Sequence, residues 1–318
     1  MTLPFRFIAP MPPLDQAAAR WRDAIRRLEA EGYDTVAISD HVSRGWAMDP
    51  LVAMTAAANA TTTLRILSLV LANDFRHPVL VHRAIAMLDV LSGGRVEVGL
   101  GAGWLPEDYE ALGIPLDPPA TRIARLGEAV RLIRRLFDST EPFDVDGAYY
   151  RGRGVGGIPR PIQQPRPPIL VGGGGKSVLT LAGAESDIAG VNASLTRGSG
   201  RREGVRALTA EDAAEKVGWV LEAARGAGRA DPPELQVSAL HTHVTDSSSE
   251  ARATLERLAA DTGLTNGAVE ASPAVLVGDV ERCCDLLRQR REQFGFSYVK
   301  LGPDPLAAAP IVAALAGT

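Results

Sequence analysis

Cysteine is nearly absent from this 318-residue chain. The only two, Cys283 and Cys284, are adjacent inside a helical pattern, where they cannot build a disulfide framework and read instead as buried thiols. Long apolar runs are missing too. No window approaches the roughly 18 unbroken apolar residues of a membrane-spanning helix. The N-terminal MTLPFRFIAPMPPLD has no apolar stretch suited to a signal peptide, so a cytoplasmic protein without a membrane partner is expected. A basic excess is also lacking: a net charge of −4 argues against a nucleic-acid surface, which needs cations gathered on one face. Lysine is scarce, with arginine outnumbering it by about ten to one, which makes Lys176 a less casual residue. What is present, 46% hydrophobic and 23% charged residues, is an ordinary globular composition, and the length suits two average domains or one large α/β barrel.

Residues 169–177 read ILVGGGGKS, an apolar run that meets four glycines, then Lys176 and Ser177. A strand that runs through glycines into a helix start aims unpaired N–H groups and the positive helix end at one spot, as a phosphate site requires. The triphosphate loop G-x-x-x-x-G-K-[ST] is not met, because Leu170 stands where its first glycine belongs. Gly172, Gly174 and Ser177 give only G-x-G-x-x-S in place of the dinucleotide fingerprint, and no acidic residue stands out about 20 residues later. A glycine-rich turn with no ligand would produce the same string.

Short β-branched runs alternate with longer helical patterns along the chain. Strands are predicted at 5–9, 35–39, 65–71, 95–101, 167–171, 187–192, 234–240 and 297–301. Between them lie amphipathic stretches such as 14–32, with Trp21, Ile25 and Leu28 at helical spacing, and 121–137, with Ile123, Leu126, Val130, Ile133 and Phe137 in one stripe. Eight strand–helix units imply parallel pairing and close most economically as one (β/α)₈ TIM barrel over 1–318. Two stretches break the rhythm. One is an insertion at about 139–167, hairpin-like and then proline-rich, expected over the mouth; the other is a polar, glycine-rich loop at about 194–207, either a lid or a surface loop.

In such a barrel the active site lies at the C-terminal strand ends. Those ends carry Ser39, Asp40 and His41, then Ala72, Asn73 and Asp74, then Gly101, Ala102, Gly103 and Trp104, then the four glycines, and finally Asn192. No Ser-His-Asp set, facing carboxylate pair or H-E-x-x-H is present. His241 and His243 would share a face of the seventh strand, but no third ligand accompanies them and no metal is expected. A mouth of glycines with one histidine suits an organic cofactor that carries the chemistry itself.

SDH at 39–41, SLVLANDFRHP at 68–78, LDVLSGGRVEVGLGAGW at 88–104 and PRPPILVGGGG at 165–175 together resemble the luciferase-like family of (β/α)₈ flavin and deazaflavin oxidoreductases. The run from Asp74 to Trp104 resembles the actinobacterial branch that uses coenzyme F-420 (F420). The resemblance implies a cofactor phosphate held by backbone N–H groups at Gly174 and Gly175, in a loop that also includes Gly172, Gly173 and Lys176. It further implies a non-proline cis peptide at Leu69–Val70 behind the cofactor ring, flanked by Ala72, Asn73, Gly101, Ala102, Gly103 and Asn192. His41 and Asp40 match a pair near the reactive ring face, the histidine taking a proton from a substrate alcohol. Sugar-phosphate dehydrogenases of the family have a carboxylate where this chain has Trp104. A small apolar or aromatic substrate is therefore expected. Reduced FMN with oxygen is the alternative cofactor chemistry, a non-redox barrel binding a phosphorylated ligand is a third reading, and a homodimer is plausible within the family.

Overall fold

The computed structural model describes residues 3–14, 17–43, 45–46, 48–194 and 201–318. Eight parallel strands close a barrel: β1 (Arg6–Pro10), β2 (Thr35–Ile38), β3 (Arg65–Ser68), β4 (Val96–Gly101), β5 (Ile169–Gly173), β6 (Ile188–Val191), β7 (Glu234–Ser238) and β8 (Phe296–Lys300). Each pairs with its successor, and β8 pairs with β1, Phe7 facing Val299. A two-residue strand, Leu71–Ala72, extends the third position beside Leu100 and Gly101. The (β/α)₈ architecture expected from the alternation of patterns is the one observed.

Buried strands of a parallel barrel contact helices on one side and each other on the other, so both faces must be apolar. Ile8, Ala37, Leu67, Leu170, Ile188 and Tyr298 form the interior cluster, with Leu69 and Val70 packed on it. Their neighbours in sequence, including Phe7, Val36, Ile66, Val171 and Val299, join the larger core shared with the helices. This alternation is the two-residue period of an extended strand. The helix Ala18–Ala30 buries Trp21, Ile25 and Leu28, and the helix Pro119–Asp138 buries Leu126, Val130, Ile133 and Phe137, as their spacing predicts. Among the described residues no helix is long and apolar enough to cross a membrane.

At the N-terminal end of the barrel the buried Glu97 carboxylate receives Arg6, Arg65 (2.8 Å) and the Tyr298 hydroxyl (2.7 Å). Burial alone would favour its neutral form, but the two guanidinium groups outweigh burial and hold its carboxyl below the ordinary value. This plug belongs to the floor of the barrel, opposite the mouth.

The insertion contains an antiparallel hairpin, Phe143–Asp146 with Arg151–Val155. Phe143, Val145, Tyr150 and Val155 cluster with Ala129, Leu132 and Leu136 of the helix Pro119–Asp138, and no residue of the hairpin lines the central cavity. Of the loop expected at 194–207, residues 195–200 lie outside the described residues; from Arg201 to Arg206 the chain is helical. His241 and His243 are not on the seventh barrel strand. They belong to a separate strand, His241–Val244, paired in parallel with Val275–Gly278. The apolar character of VLVG at 275–278 is the signal the strand count passed over.

Candidate active site

A cavity of about 490 Å³ opens at the C-terminal ends of the strands. It gathers Asp40, His41, Leu69, Val70, Ala72, Gly101, Ala102, Gly103, Trp104, all four glycines 172–175 and Asn192. Fourteen of the sixteen residues expected at the site therefore meet there, drawn from five of the eight strand ends. Asn73 and Lys176 do not line it. Asn73 is turned away, its amide donating to the Tyr150 hydroxyl at 3.0 Å, and Lys176 is exposed at the first position of the helix Lys176–Glu185.

The Leu69–Val70 peptide is cis. The Val70 side chain occupies room that neighbouring strands leave for it. A Cβ at Gly101 would come within 2.5 Å of a Val70 methyl, and one at Gly172 or Gly99 within 3.1 or 3.2 Å. Gly101 of β4 and Gly172 of β5 thus form a socket for Val70, a close approach that glycine allows.

The four-glycine run divides by role. Gly172 faces Val70; a Cβ at Gly173 would lie 2.3 Å from Val178, and one at Gly174 would lie 2.3 Å from the Ala193 carbonyl. Those three positions are small because the protein itself fills the space. Among the described residues Gly175 alone of the four is open, with nothing within 4 Å of a built Cβ. It is also the N-cap of the helix Lys176–Glu185, where no side chain caps the helix and no acidic residue occupies the first turn. Free helix N–H groups and the positive end of the helix dipole converge there on the cavity, which suits a phosphate.

On the opposite wall, His41 Nδ1 lies 2.6 Å from Asp108 Oδ2. The other Asp108 oxygen accepts from the Ser43 hydroxyl (2.6 Å) and the amides of Ser43 (3.0 Å) and Val42 (3.1 Å). Burial works against this carboxylate, yet the bonds from Ser43, His41 and Val42 prevail and its carboxyl is held below the usual range. An ionised Asp108 makes Nδ1 the protonated nitrogen, leaving Nε2 as the acceptor. Two indoles frame the imidazole, Trp46 at 5.0 Å and Trp104 edge-on at 6.2 Å between ring centroids.

Asp40 plays a different part from the one its place beside His41 suggests. Its Oδ2 accepts from the Ala72 amide (3.0 Å) and pairs with Arg76 (2.5 Å), tying the end of β2 to the segment after Val70. Among the described residues its buried Oδ1 has no hydrogen-bond partner, and Asp40 belongs to the cavity wall. Asn192 also lies on the wall; its own carbonyl accepts from Lys216 Nζ at 3.1 Å.

Ser39, expected at the end of β2, lines the cavity too, and Asp108, Tyr109, Arg122 and Phe75 also line it but were not expected from the sequence. Asp108 sits in the first turn of the helix Pro106–Leu112, where an acidic residue is ordinary helix chemistry, so nothing local distinguishes it. Among the described residues no cluster of three or more His, Cys, Asp or Glu could hold a metal ion.

The sequence profile of the luciferase-like monooxygenase family matches residues 2–297. The chain is 35% identical over 142 residues to the 4-hydroxyprotoasukamycin monooxygenase of Streptomyces nodosus subsp. asukaensis, covering 43% of this chain and 38% of that protein. It is 34% identical over 177 residues to the F420-dependent glucose-6-phosphate dehydrogenase of Kineococcus radiotolerans, covering 54% and 51%. The alignments thus span about half or less of these curated relatives. Among solved structures, an F420-dependent secondary alcohol dehydrogenase in complex with an F420-acetone adduct superposes over 98% of this chain and 97% of that one, with a TM-score of 0.76 and 18% identity, a likeness of fold.

Proposed function

Because the chain belongs to the luciferase-like monooxygenase family, we propose that it is an oxidoreductase that moves a hydride between coenzyme F420 and a small apolar or aromatic organic molecule. The observation that carries the reading is the His41–Asp108 pair on the cavity wall. Oxidising an alcohol by hydride loss requires a base for the hydroxyl proton, and reducing a carbonyl requires an acid at the same place. His41 Nε2, with Nδ1 held by Asp108, takes the proton in one direction and returns it in the other.

The residues fit a phosphorylated tricyclic cofactor. Gly175 and the uncapped helix behind it would hold the phosphate; Val70 and the glycines around it form a shelf for a flat ring. When bound, a deazaflavin supplies the hydride chemistry, which no side chain of the cavity can provide. Trp104, which lines the cavity edge-on to His41, offers flat apolar surface to the substrate. Trp104 stands where a sugar-phosphate dehydrogenase needs a carboxylate, which supports an apolar substrate over glucose 6-phosphate.

A second reading, an FMN-dependent monooxygenase using reduced FMN and oxygen, draws support from the 35% identity to 4-hydroxyprotoasukamycin monooxygenase, and the Gly175 cradle suits either phosphate. Titrating the purified protein with F420 and with FMN, following fluorescence, separates the two. Tight F420 binding with weak FMN binding is expected; tight FMN binding with no response to F420 refutes the first reading.

A further inference from the structure

The acidic residues of the cavity wall have cationic partners: Asp40 has Arg76, and Asp108 has His41. The cation Arg122 has no such counterpart. It is 8% exposed, it lines the cavity, and none of the ion pairs among the described residues includes it. Its Nε donates to the Asp117 carbonyl at 2.8 Å, and its Nη1 donates to the carbonyls of Ala102 (3.1 Å) and Gly103. The other polar side chain beside the guanidinium is the Tyr109 hydroxyl, an uncharged partner. The carboxylates of Asp74 and Asp117, within reach of the same helix, are both taken by Arg125. A buried guanidinium is therefore fixed in orientation by three carbonyl dipoles and, among the described residues, left without a carboxylate partner.

The geometry points to Arg122 as the recognition group for a carboxylate on the substrate. The guanidinium, on the helix Pro119–Asp138, grips the carbonyl of Gly103, the residue before Trp104, and both Arg122 and Trp104 line the cavity. A flat ring against Trp104 brings an attached carboxylate to the Arg122 guanidinium while the reacting carbon lies toward His41. Ile123, one residue on, and Pro119 in the same helix continue the apolar wall. The phosphate cradle at Gly175 belongs to another strand end, so the anion at Arg122 is distinct from the cofactor phosphate. The substrate class is thereby narrowed to an aromatic or otherwise flat apolar acid, an assignment that rests on the proposed function only for the role of the remaining ring.

Calorimetric binding of 2-naphthoate and of its uncharged counterpart 2-naphthalenemethanol tests this, first with the parent protein and then with Arg122→Gln and Arg122→Lys. The parent is expected to bind the acid at least about tenfold more tightly than the alcohol, the preference of a buried charge-assisted contact. Arg122→Gln should abolish that preference, and Arg122→Lys should keep part of it. Inorganic phosphate at millimolar concentration should leave naphthoate binding unchanged; displacement by phosphate assigns Arg122 to the cofactor phosphate and overturns the proposal. Equal affinity for acid and alcohol in the parent, no binding of either, or a preference that survives Arg122→Gln overturns it too. Should Arg122→Gln fail to fold by thermal melting, the parent and Arg122→Lys comparisons decide the matter. Because neither probe requires a redox cofactor, loss of F420 binding refutes the proposed function while leaving this result standing, and the reverse also holds.

Discussion

Replacing Asp108 with asparagine changes almost no volume and one charge, and its effects can be worked through atom by atom. The oxygen that accepts from Ser43 and Val42 has an amide oxygen as substitute, so the loop after β2 keeps its anchors. The oxygen facing His41 Nδ1 at 2.6 Å becomes an NH₂ group. Two donors cannot share that contact, so the imidazole must move its proton to Nε2, the atom that has to receive the substrate proton. The exchange of charge-assisted for neutral hydrogen bonds costs roughly 1–2 kcal/mol of stability. Loss of the correctly disposed base lowers turnover about 10²- to 10⁴-fold. Cofactor affinity should be unchanged, because the Gly175 cradle lies on another strand end. The pH dependence has a definite sign. The Asp108 carboxyl is depressed in the folded protein, so its contribution is complete above the unfolded value, about 4, and fades as pH falls through the lower folded value. The stability gap between parent and Asp108→Asn should then be full at neutral pH and shrink in acid. Steady-state turnover, fluorescence titration of the cofactor and urea unfolding at two pH values measure all three quantities. A variant whose turnover stays within about threefold of the parent would show that Asp108 does not set the His41 tautomer.

The glycine run gives a paired prediction: Gly175→Val should fold normally and bind cofactor at least about tenfold more weakly, by loss of a charge-assisted contact, whereas Gly174→Val should lose thermal stability because its Cβ meets the Ala193 carbonyl. Comparable melting temperatures for the two variants would contradict the division of roles. Gly101→Ala places a methyl 2.5 Å from Val70 and should destabilise by about 1–3 kcal/mol, with Val70→Ala restoring part of the loss; denaturant unfolding of the single and double variants tests this, and strictly additive losses would count against a shared socket. Trp104→Ala should raise KM by removing roughly 1–3 kcal/mol of substrate contact while cofactor Kd stays constant, and the parent should not oxidise glucose 6-phosphate; rapid F420 reduction by that sugar would overturn the argument from Trp104.

Residues close in sequence set much of what could be read from the chain alone. The two-residue period of the strands, the helical spacing of Trp21, Ile25 and Leu28, and the proline at the first turn of Pro78–Ser92 depend on neighbours within one turn or one pleat. Repetition of those local patterns was enough for the barrel, and the rule that barrel sites lie at strand ends was enough to assemble twelve residues of the cavity, Leu69 and Val70 being added by the family resemblance. The hidden part is non-local. His41 and Asp108 are 67 positions apart, and only packing of the helix Pro106–Leu112 against the end of β2 turns an unremarkable acidic residue into the partner of the proposed base. The glycines present the same limit. Their number announces a close approach but not its object, and tertiary structure decides that Gly172 receives Val70, Gly173 yields to Val178, Gly174 yields to Ala193 and Gly175 alone stays open. Local periodicity encodes which face of each element is buried; which side chains then meet is fixed only when the barrel closes.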